Sequence, residues 1–414
     1  MHFLAIFDFH YFARKQYNKY VGNRKKIGTV KEMARQRTYG KFGLKLVKWL
    51  DSYYLIGLGT LSASMLNLIW HKLRQQKVPL DWDGKNAPNF YASQEDLLHI
   101  KGRDGTATFL PQFLLTPFDS PLAFEETTIS LVEPNFTPPY TVENGFQFYK
   151  AESDFNPSKV FFNGELARIN HIDMNKLHIE FQGVRFFDFV GTNLSLDADR
   201  KPFPTLRTES AKDQKLPPLE QSTLANASGV NGLIFTCDGY MIIQKRNDNV
   251  LMRPKQICSG FSGFNDKKDI ATAIKISGKL RDVDFMREKD EETGITLSDI
   301  EQIEFLGIAQ ELVTEMPNFY FAVDVRLTKN DVLSLSHKDS EGTVAAIEFG
   351  KFAKCRQKLS ECGDTLPFWE LLDKIHNDQK SPISLPFLTN MALWYRAWDK
   401  TFVDSGRPNR KQFA

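Results

Sequence analysis

Arg287-Glu288-Lys289-Asp290-Glu291-Glu292-Thr293-Gly294-Ile295 is the stretch on which the reading of this chain turns. Taken as a helix ending at Gly294, it sets Glu288, Glu291 and Glu292 at i, i+3 and i+4, which puts three carboxylates on one helical face. Like charges at that spacing repel, so the face is costly until something neutralises it. A divalent cation that prefers hard oxygen ligands would do so. The alternative is a solvated acidic face of the kind common on exposed helices.

Upstream, Val230-Asn231-Gly232-Leu233-Ile234-Phe235-Thr236 and Tyr240-Met241-Ile242-Ile243-Gln244-Lys245-Arg246 read as strands flanking Cys237-Asp238-Gly239, whose Asp-Gly pair predicts a hairpin turn. A glycine-rich turn, Ser259-Gly260-Phe261-Ser262-Gly263-Phe264, precedes the acidic helix. Downstream, Ile303 to Ala309 and Phe319 to Leu327 read as further strands, and residues 367–377 and 385–401 as two closing helices. Earlier still, Val160-Phe161-Phe162, Ala167-Arg168-Ile169 and Lys176 to Phe181 read as short strands. The last alternates apolar and polar, as a half-buried strand does. Lys201 to Leu219 is a Pro-rich linker. Residues 79–158, rich in Pro, Phe and Thr, read as loops and short strands without a chemical motif.

A chain of 414 residues is long enough for two or three domains with sizeable cores, and its 42% apolar and 25% charged content is that of a globular protein. The four cysteines show neither CxxC nor zinc spacing, so free buried thiols in a reducing, cytoplasmic setting are expected. No export signal is expected, because the apolar start contains Asp8 and His10 and the basic cluster follows it. Residues 1–50 carry twelve Lys/Arg against two Asp/Glu, a charge of +10, which leaves −8 for the remainder. A basic head on an acidic body points to an anionic surface, membrane or nucleic acid, or to a basic helix docking on the body. Residues 53–70 carry no charge over eighteen positions and end in Tyr53, Tyr54 and Trp70. They read as a membrane span, a core helix or an interfacial helix. A membrane surface is the partner expected for residues 1–78, with no specific nucleic-acid binding; the oligomeric state stays open.

The core of the acidic stretch, R-E-x-x-E-E-x-G followed by an aliphatic residue, resembles the second half of the Nudix box. That box marks the Nudix hydrolases, which cut pyrophosphate bonds in nucleoside diphosphates linked to another group. The order of strand, Asp-Gly hairpin, strand ending in Gln244-Lys245-Arg246, glycine-rich turn and acidic helix is similar to a Nudix domain. Several stretches resemble, more narrowly, the uridine diphosphate glucose pyrophosphatase (UDP-sugar diphosphatase) branch. They are Val160 to Asp197 with Phe187-Asp188-Phe189-Val190-Gly191-Thr192-Asn193, Ala225-Asn226-Ala227-Ser228-Gly229-Val230, Leu306-Gly307-Ile308-Ala309, and Ala392-Leu393-Trp394-Tyr395 in the last helix. The resemblance covers about 160–400 and does not reach 1–150.

The resemblance implies an α/β fold: a Nudix-type α/β/α sandwich over 220–414 that includes the C-terminal helices, a β extension over 159–200, and a basic helical region over 1–150 of no assigned role. It implies a magnesium-dependent hydrolase, with manganese as a substitute, that cleaves a nucleoside diphosphate sugar. UDP-glucose or UDP-galactose would yield UMP and a sugar 1-phosphate. A degenerate, non-catalytic module that binds a nucleotide or a protein is the alternative. Glu288, Glu291 and Glu292 are the implied metal ligands. Glu291 doubles as the base that orients water, and Arg287 orients a carboxylate through a bidentate pair. Gly263, Lys245 and Arg246 are the implied substrate contacts, though Lys245 and Arg246 suit salt bridges to the acidic helix equally well. Phe187, Phe319 and Tyr320 are either uracil-stacking or core residues, and Glu341 either a distant base or a loop residue.

Two departures from the full box, G-x5-E-x7-R-E-U-x-E-E-x-G-U, stand out. Counting back from Arg287, the glutamate position holds Lys279 and the glycine position Ala273. With Gly263 as the box glycine the interval is too long, which implies an insertion within 265–282. Asp266, Asp269, Asp282 or Asp284 would then stand in for the missing glutamate. Lys289 also takes an aliphatic position that normally packs inward, so it must snorkel or the helix must rotate.

Overall fold

The computed structural model describes residues 90–91, 94, 97–101, 107–116, 123–139, 163–198, 203–247, 250, 252–335, 342–349, 366–396 and 403–406. By its internal contacts the chain divides into units 1–74 and 75–414, and every described residue belongs to the second. The apolar stretch 53–70 and Glu341 lie outside the described residues. Among the described residues no helix is long and apolar enough to cross a membrane.

In chain order the elements are β1 (Leu97–Lys101), β2 (Ala107–Leu114), β3 (Thr128–Val132), β4 (Glu165–Asp173), β5 (His178–Arg185), α1 (Phe186–Gly191), α2 (Leu206–Ser210), β6 (Gly229–Thr236), β7 (Tyr240–Arg246), β8 (Ile257–Cys258) and β9 (Phe261–Phe264). Then follow α3 (Lys267–Ile276), α4 (Arg287–Thr293), β10 (Ile300–Glu311), β11 (Pro317–Val325), α5 (Lys329–Ser334), β12 (Gly342–Glu348), α6 (Leu366–Gln379), α7 (Leu385–Arg396) and β13 (Val403–Gly406). A ten-stranded mixed sheet runs β12-β7-β6-β11-β10-β2-β1-β13, with β8 on β7 and β9 on β6. A second sheet has the order β3-β5-β4.

β6 and β11 form a parallel pair at the centre, and every residue of both is buried. A strand covered on both faces needs apolar side chains on both, and Leu233-Ile234-Phe235 and Phe319-Tyr320-Phe321-Ala322 supply them. One face, with Leu233, Phe235, Met241, Ile243, Tyr320 and Ala322, packs against α6 and α7. The other, with Val230, Ile234, Ile242, Phe319, Phe321 and Val323, packs on α3, the segment from Leu280 to Met286, and the small sheet. The layers are therefore α/β/α, with the three-stranded sheet set beside α3.

The hairpin forms where Asp238-Gly239 predicts it, with the Gly239 amide donating to Thr236 O at 3.0 Å. The closing helices are α6 and α7; the second ends at Arg396. The strand read at 303–309 is longer, because it pairs with β11 from Ile300 to Gln310 and its last residues also pair with β2. The Val184 to Asp197 stretch contains a helix, α1, with buried Phe187, Phe189 and Val190.

Strands β1 and β2, from the stretch read as loops and short strands, stand in the main sheet, with Ala309 opposite Leu114. β2 meets β10 about two hundred residues on and β1 meets β13 about three hundred residues on, and no local pattern reveals such pairings. Likewise β3 completes the β extension from upstream of 159 by pairing in parallel with β5. As for the thiols, Cys258 is buried and free, but Cys237, on the hairpin turn, is free and exposed. Cys355 and Cys362 lie outside the described residues.

Candidate active site

α4 is short because Gly294 stops it. Gly294 takes φ +72°, a left-handed cap conformation, and its amide donates to Asp290 O at 2.9 Å. Lys289 does not snorkel. It is 1% exposed, and its ammonium donates to Ile295 O just beyond the helix end. That carbonyl satisfies the charge locally, so α4 keeps its register with a cation where an aliphatic side chain is usual. Burial pulls the Lys289 pKa below the ordinary lysine value, against the opposing pull of Asp290, Asp299 and Asp284.

Arg287 is the hub of the acidic face. Its Nη1 reaches both oxygens of Glu291, at 3.2 and 3.1 Å, and its Nη2 reaches Glu288 Oε1 at 2.8 Å. The Nη2 group also donates to Phe264 O at 3.3 Å, and Nε donates to Asp269 Oδ2 at 3.2 Å. Asp266 Oδ2 lies 3.6 Å away. One guanidinium thus faces four carboxylates, two from its own helix and two from the segment inserted before it. Burial works against its charge, but Glu288, Asp266 and Glu291 outweigh that and hold its pKa above the ordinary arginine value.

Strand β9 meets Glu292 and also Glu288. Glu292, 4% exposed, accepts from the Ser262 amide at 2.8 Å. Glu288 folds over Gly263 so closely that a Cβ there would stand 2.2 Å from its Cδ. Only glycine admits this carboxylate against the strand. Arg246 joins from β7, with Nη1 donating to Ser262 Oγ at 3.3 Å. Gly263, Arg246, Arg287, Glu288, Glu291 and Glu292 therefore come together. Lys245 does not: adjacent strand residues point to opposite faces, and its Nζ donates to Gln379 O of α6 at 3.2 Å. Phe319 and Tyr320 are fully buried and Phe187 nearly so, which makes all three core residues.

Among the inserted acids, Asp266 and Asp269 reach the hub, whereas Asp282 accepts from Ser277 Oγ. The backbone partners, Ser262 N and Phe264 O, carry no signal in residue type and are visible only in the fold.

Three hard carboxylates on one helix are the donor chemistry of a magnesium or manganese site. As they stand, though, the described residues include no group of three or more His, Cys, Asp or Glu able to hold a metal ion. The repulsion expected on the acidic face is relieved instead by Arg287. A cavity of about 240 Å³ opens elsewhere, at the hairpin end of β6 and β7, between Tyr240, Glu301, Asp324 and Trp394. It lies away from the acidic helix.

No protein-family model matches the chain, and no curated protein sequence matches it. Among solved structures, it is similar to DR0079 from Deinococcus radiodurans at 16% identity and a TM-score of 0.22, over 32% of this chain and 74% of that one. It is also similar to RenU, a Nudix hydrolase from M. smegmatis, at 9% identity and a TM-score of 0.25, over 42% and 86%. Similarity at this level leaves the function to be argued from the residues.

Proposed function

We propose that the chain is a pyrophosphohydrolase of the Nudix type, acting on a nucleoside diphosphate linked to a second group. The observation that carries this reading is the fastening of α4 to β9: Glu288 lies against Gly263, Glu292 accepts from Ser262 N, and Arg287 sits between the carboxylates. Hydrolysing a pyrophosphate requires charge neutralisation at phosphorus and an oriented water. A divalent cation, when bound, supplies neutralising charge and acidifies its water. Glu288 and Glu292 are its proposed main ligands, with Glu291 as third ligand or water-orienting base; magnesium is the expected ion and manganese the substitute. Arg287 now engages Glu288 and Glu291, so loading the site means exchanging those bonds. Arg246 is the proposed phosphate contact.

UDP-glucose or UDP-galactose, giving UMP and a sugar 1-phosphate, is the proposed substrate. It rests on the resemblance of Val160 to Asp197, Ala225 to Val230, Leu306 to Ala309 and Ala392 to Tyr395 to the UDP-sugar diphosphatase branch. Base recognition must come from residues other than Phe187, Phe319 and Tyr320, which are in the core. The direct test is a screen of nucleoside diphosphate compounds with magnesium, reading released monophosphate. Glu288→Gln and Glu292→Gln are each expected to lower turnover by more than about tenfold. Wild-type turnover in both would sink the assignment.

A second reading, a non-catalytic module that binds a nucleotide or a protein, draws on the Arg287 cluster, which is already compensated without a metal. Calorimetry with UDP-glucose, with and without magnesium, beside a turnover assay separates the two: binding without turnover favours the module. Attachment of residues 1–78 to a membrane surface is a further proposal, resting on their charge. Recovery of all the protein in the soluble fraction at low salt would refute it.

A further inference from the structure

We propose that Asp269, with Asp266 beside it, is a positioning residue of the acidic site, anchoring Arg287 on the inserted helix when Glu288 and Glu291 turn to a cation. The inference rests on the metal-dependent reading above and deepens it. A guanidinium has five N–H donors in a rigid fork. In Arg287 that fork is divided between two sets of carboxylates. Nη1 and Nη2 hold Glu291 and Glu288, while Nε holds Asp269 at 3.2 Å and Nη2 lies 3.6 Å from Asp266. The first set supplies two of the three proposed ligands, Glu292 being the other. The second set lies off α4, at the N-terminal end of α3.

A cation drawing Glu288 and Glu291 away would leave Arg287 half-buried with its charge uncompensated, were there no other anion in reach. Such a charge is costly, and Arg287 would hold its glutamates against the metal. Asp269 removes that conflict. Its side chain is only 13% exposed, and it keeps one charge-assisted bond to Nε whatever the other two nitrogens do. Asp266 is the N-cap residue of α3, yet its side chain makes no capping bond and pairs with Lys268 at 3.1 Å, near Arg287.

The anchor is rigid because α3 is fixed by the β extension. Ile270 and Ala273 are fully buried in the core shared with β4 and β5. Ala167 N donates to Asn265 O at 2.7 Å just before the helix, and Ile129 N to Gly278 O at 2.9 Å just after it. Lys267 Nζ reaches Glu133 Oε1 at 2.7 Å. The extension thus acts on the acidic site through α3, Asp269 and Arg287. This assigns a role to the insertion that lengthens the box.

The test is Mn2+ binding to the full chain, read as loss of the free-ion paramagnetic resonance signal, with thermal unfolding midpoints as a check on folding. Asp269→Asn is expected to weaken Mn2+ binding by about tenfold, and Asp269→Glu to restore most of it. Asp266→Asn is expected to weaken binding about threefold and serves if Asp269→Asn does not fold. In an Arg287→Gln background, Asp269→Asn should cause no further loss, since the residue acts through Arg287. Unchanged affinity in Asp269→Asn alongside weakened binding in Glu288→Gln would overturn the anchor while leaving the metal site standing. A further tenfold loss in the Arg287→Gln background would also overturn it. No Mn2+ binding by the wild type would overturn the anchor and the metal-dependent reading together.

Discussion

Replacing Gly263 with alanine isolates the contact on which the site is built. The added Cβ would stand 2.2 Å from Glu288 Cδ, 2.4 Å from Oε2 and 2.5 Å from Cγ. Carbon atoms in ordinary contact sit at about 3.5–4.0 Å, so the carboxyl must retreat by more than about 1 Å. The backbone need not change, because Gly263 is not among the positive-φ residues. Glu288 is a flexible side chain and can swing away, but only by giving up its 2.8 Å bond to Arg287 Nη2. A bond between charged groups contributes about 1.5–3 kcal/mol, less here because the guanidinium keeps Glu291 and Asp269. The expected cost is therefore about 1–2 kcal/mol in urea unfolding, with weakened Mn2+ binding. A double-mutant cycle isolates the contact: a Glu288→Ala background removes the three atoms nearest the added Cβ, and the cost of the alanine at 263 should fall to about 0.5 kcal/mol or less. If Gly263→Ala is as costly without the Glu288 carboxylate as with it, the proposed contact is not the cause and the reasoning fails.

Two further changes probe the frame around the site. Lys289→Met removes a buried ammonium and keeps its stem, so it is expected to stabilise the protein at neutral pH by about 1 kcal/mol or more in urea unfolding. Because the folded pKa of Lys289 lies below its unfolded value, the wild type should gain stability as pH rises through that folded pKa toward the ordinary lysine range. The variant should lack that gain; equal pH profiles would count against a buried charge. Arg253→Met breaks an ion pair in which Nη2 meets Glu311 at 2.6 and 2.5 Å, with the Glu311 side chain fully buried. Leaving that buried carboxylate its Thr314 hydroxyl but no cation should cost about 3 kcal/mol by the same measurement, and a loss below about 1 kcal/mol would show that the hydroxyl and rearranged neighbours suffice.

Much of the fold could be read along the chain where the signal is local. β6, β7 and their Asp238-Gly239 turn follow from apolar runs and a turn pair, and α4 ends at Gly294 because a left-handed cap suits glycine. The spacing of Glu288, Glu291 and Glu292 is a property of any helix, so their common face was legible too. Other features were not. α3 hides in a stretch whose lysines and aspartates look like a loop, and its helix is set by Ile270 and Ala273 meeting the β extension. Lys245 and Arg246 look alike as strand-end cations, yet the pleat sends one to α6 and the other to Ser262.

By itself, the sequence determined that three carboxylates share one side of a short helix and that a glycine-rich strand comes before it. Those depend on covalent spacing and backbone preference, which act over a few residues. Only the tertiary structure decided what neutralises the carboxylates. Whether their charge meets an ion or a guanidinium depends on which groups lie within a few ångströms, because Coulombic attraction is strong only at that range in a partly buried site. Asp269 comes within 3.2 Å of Arg287 because the β extension, from far upstream, carries α3 there. No spacing along the chain encodes that approach.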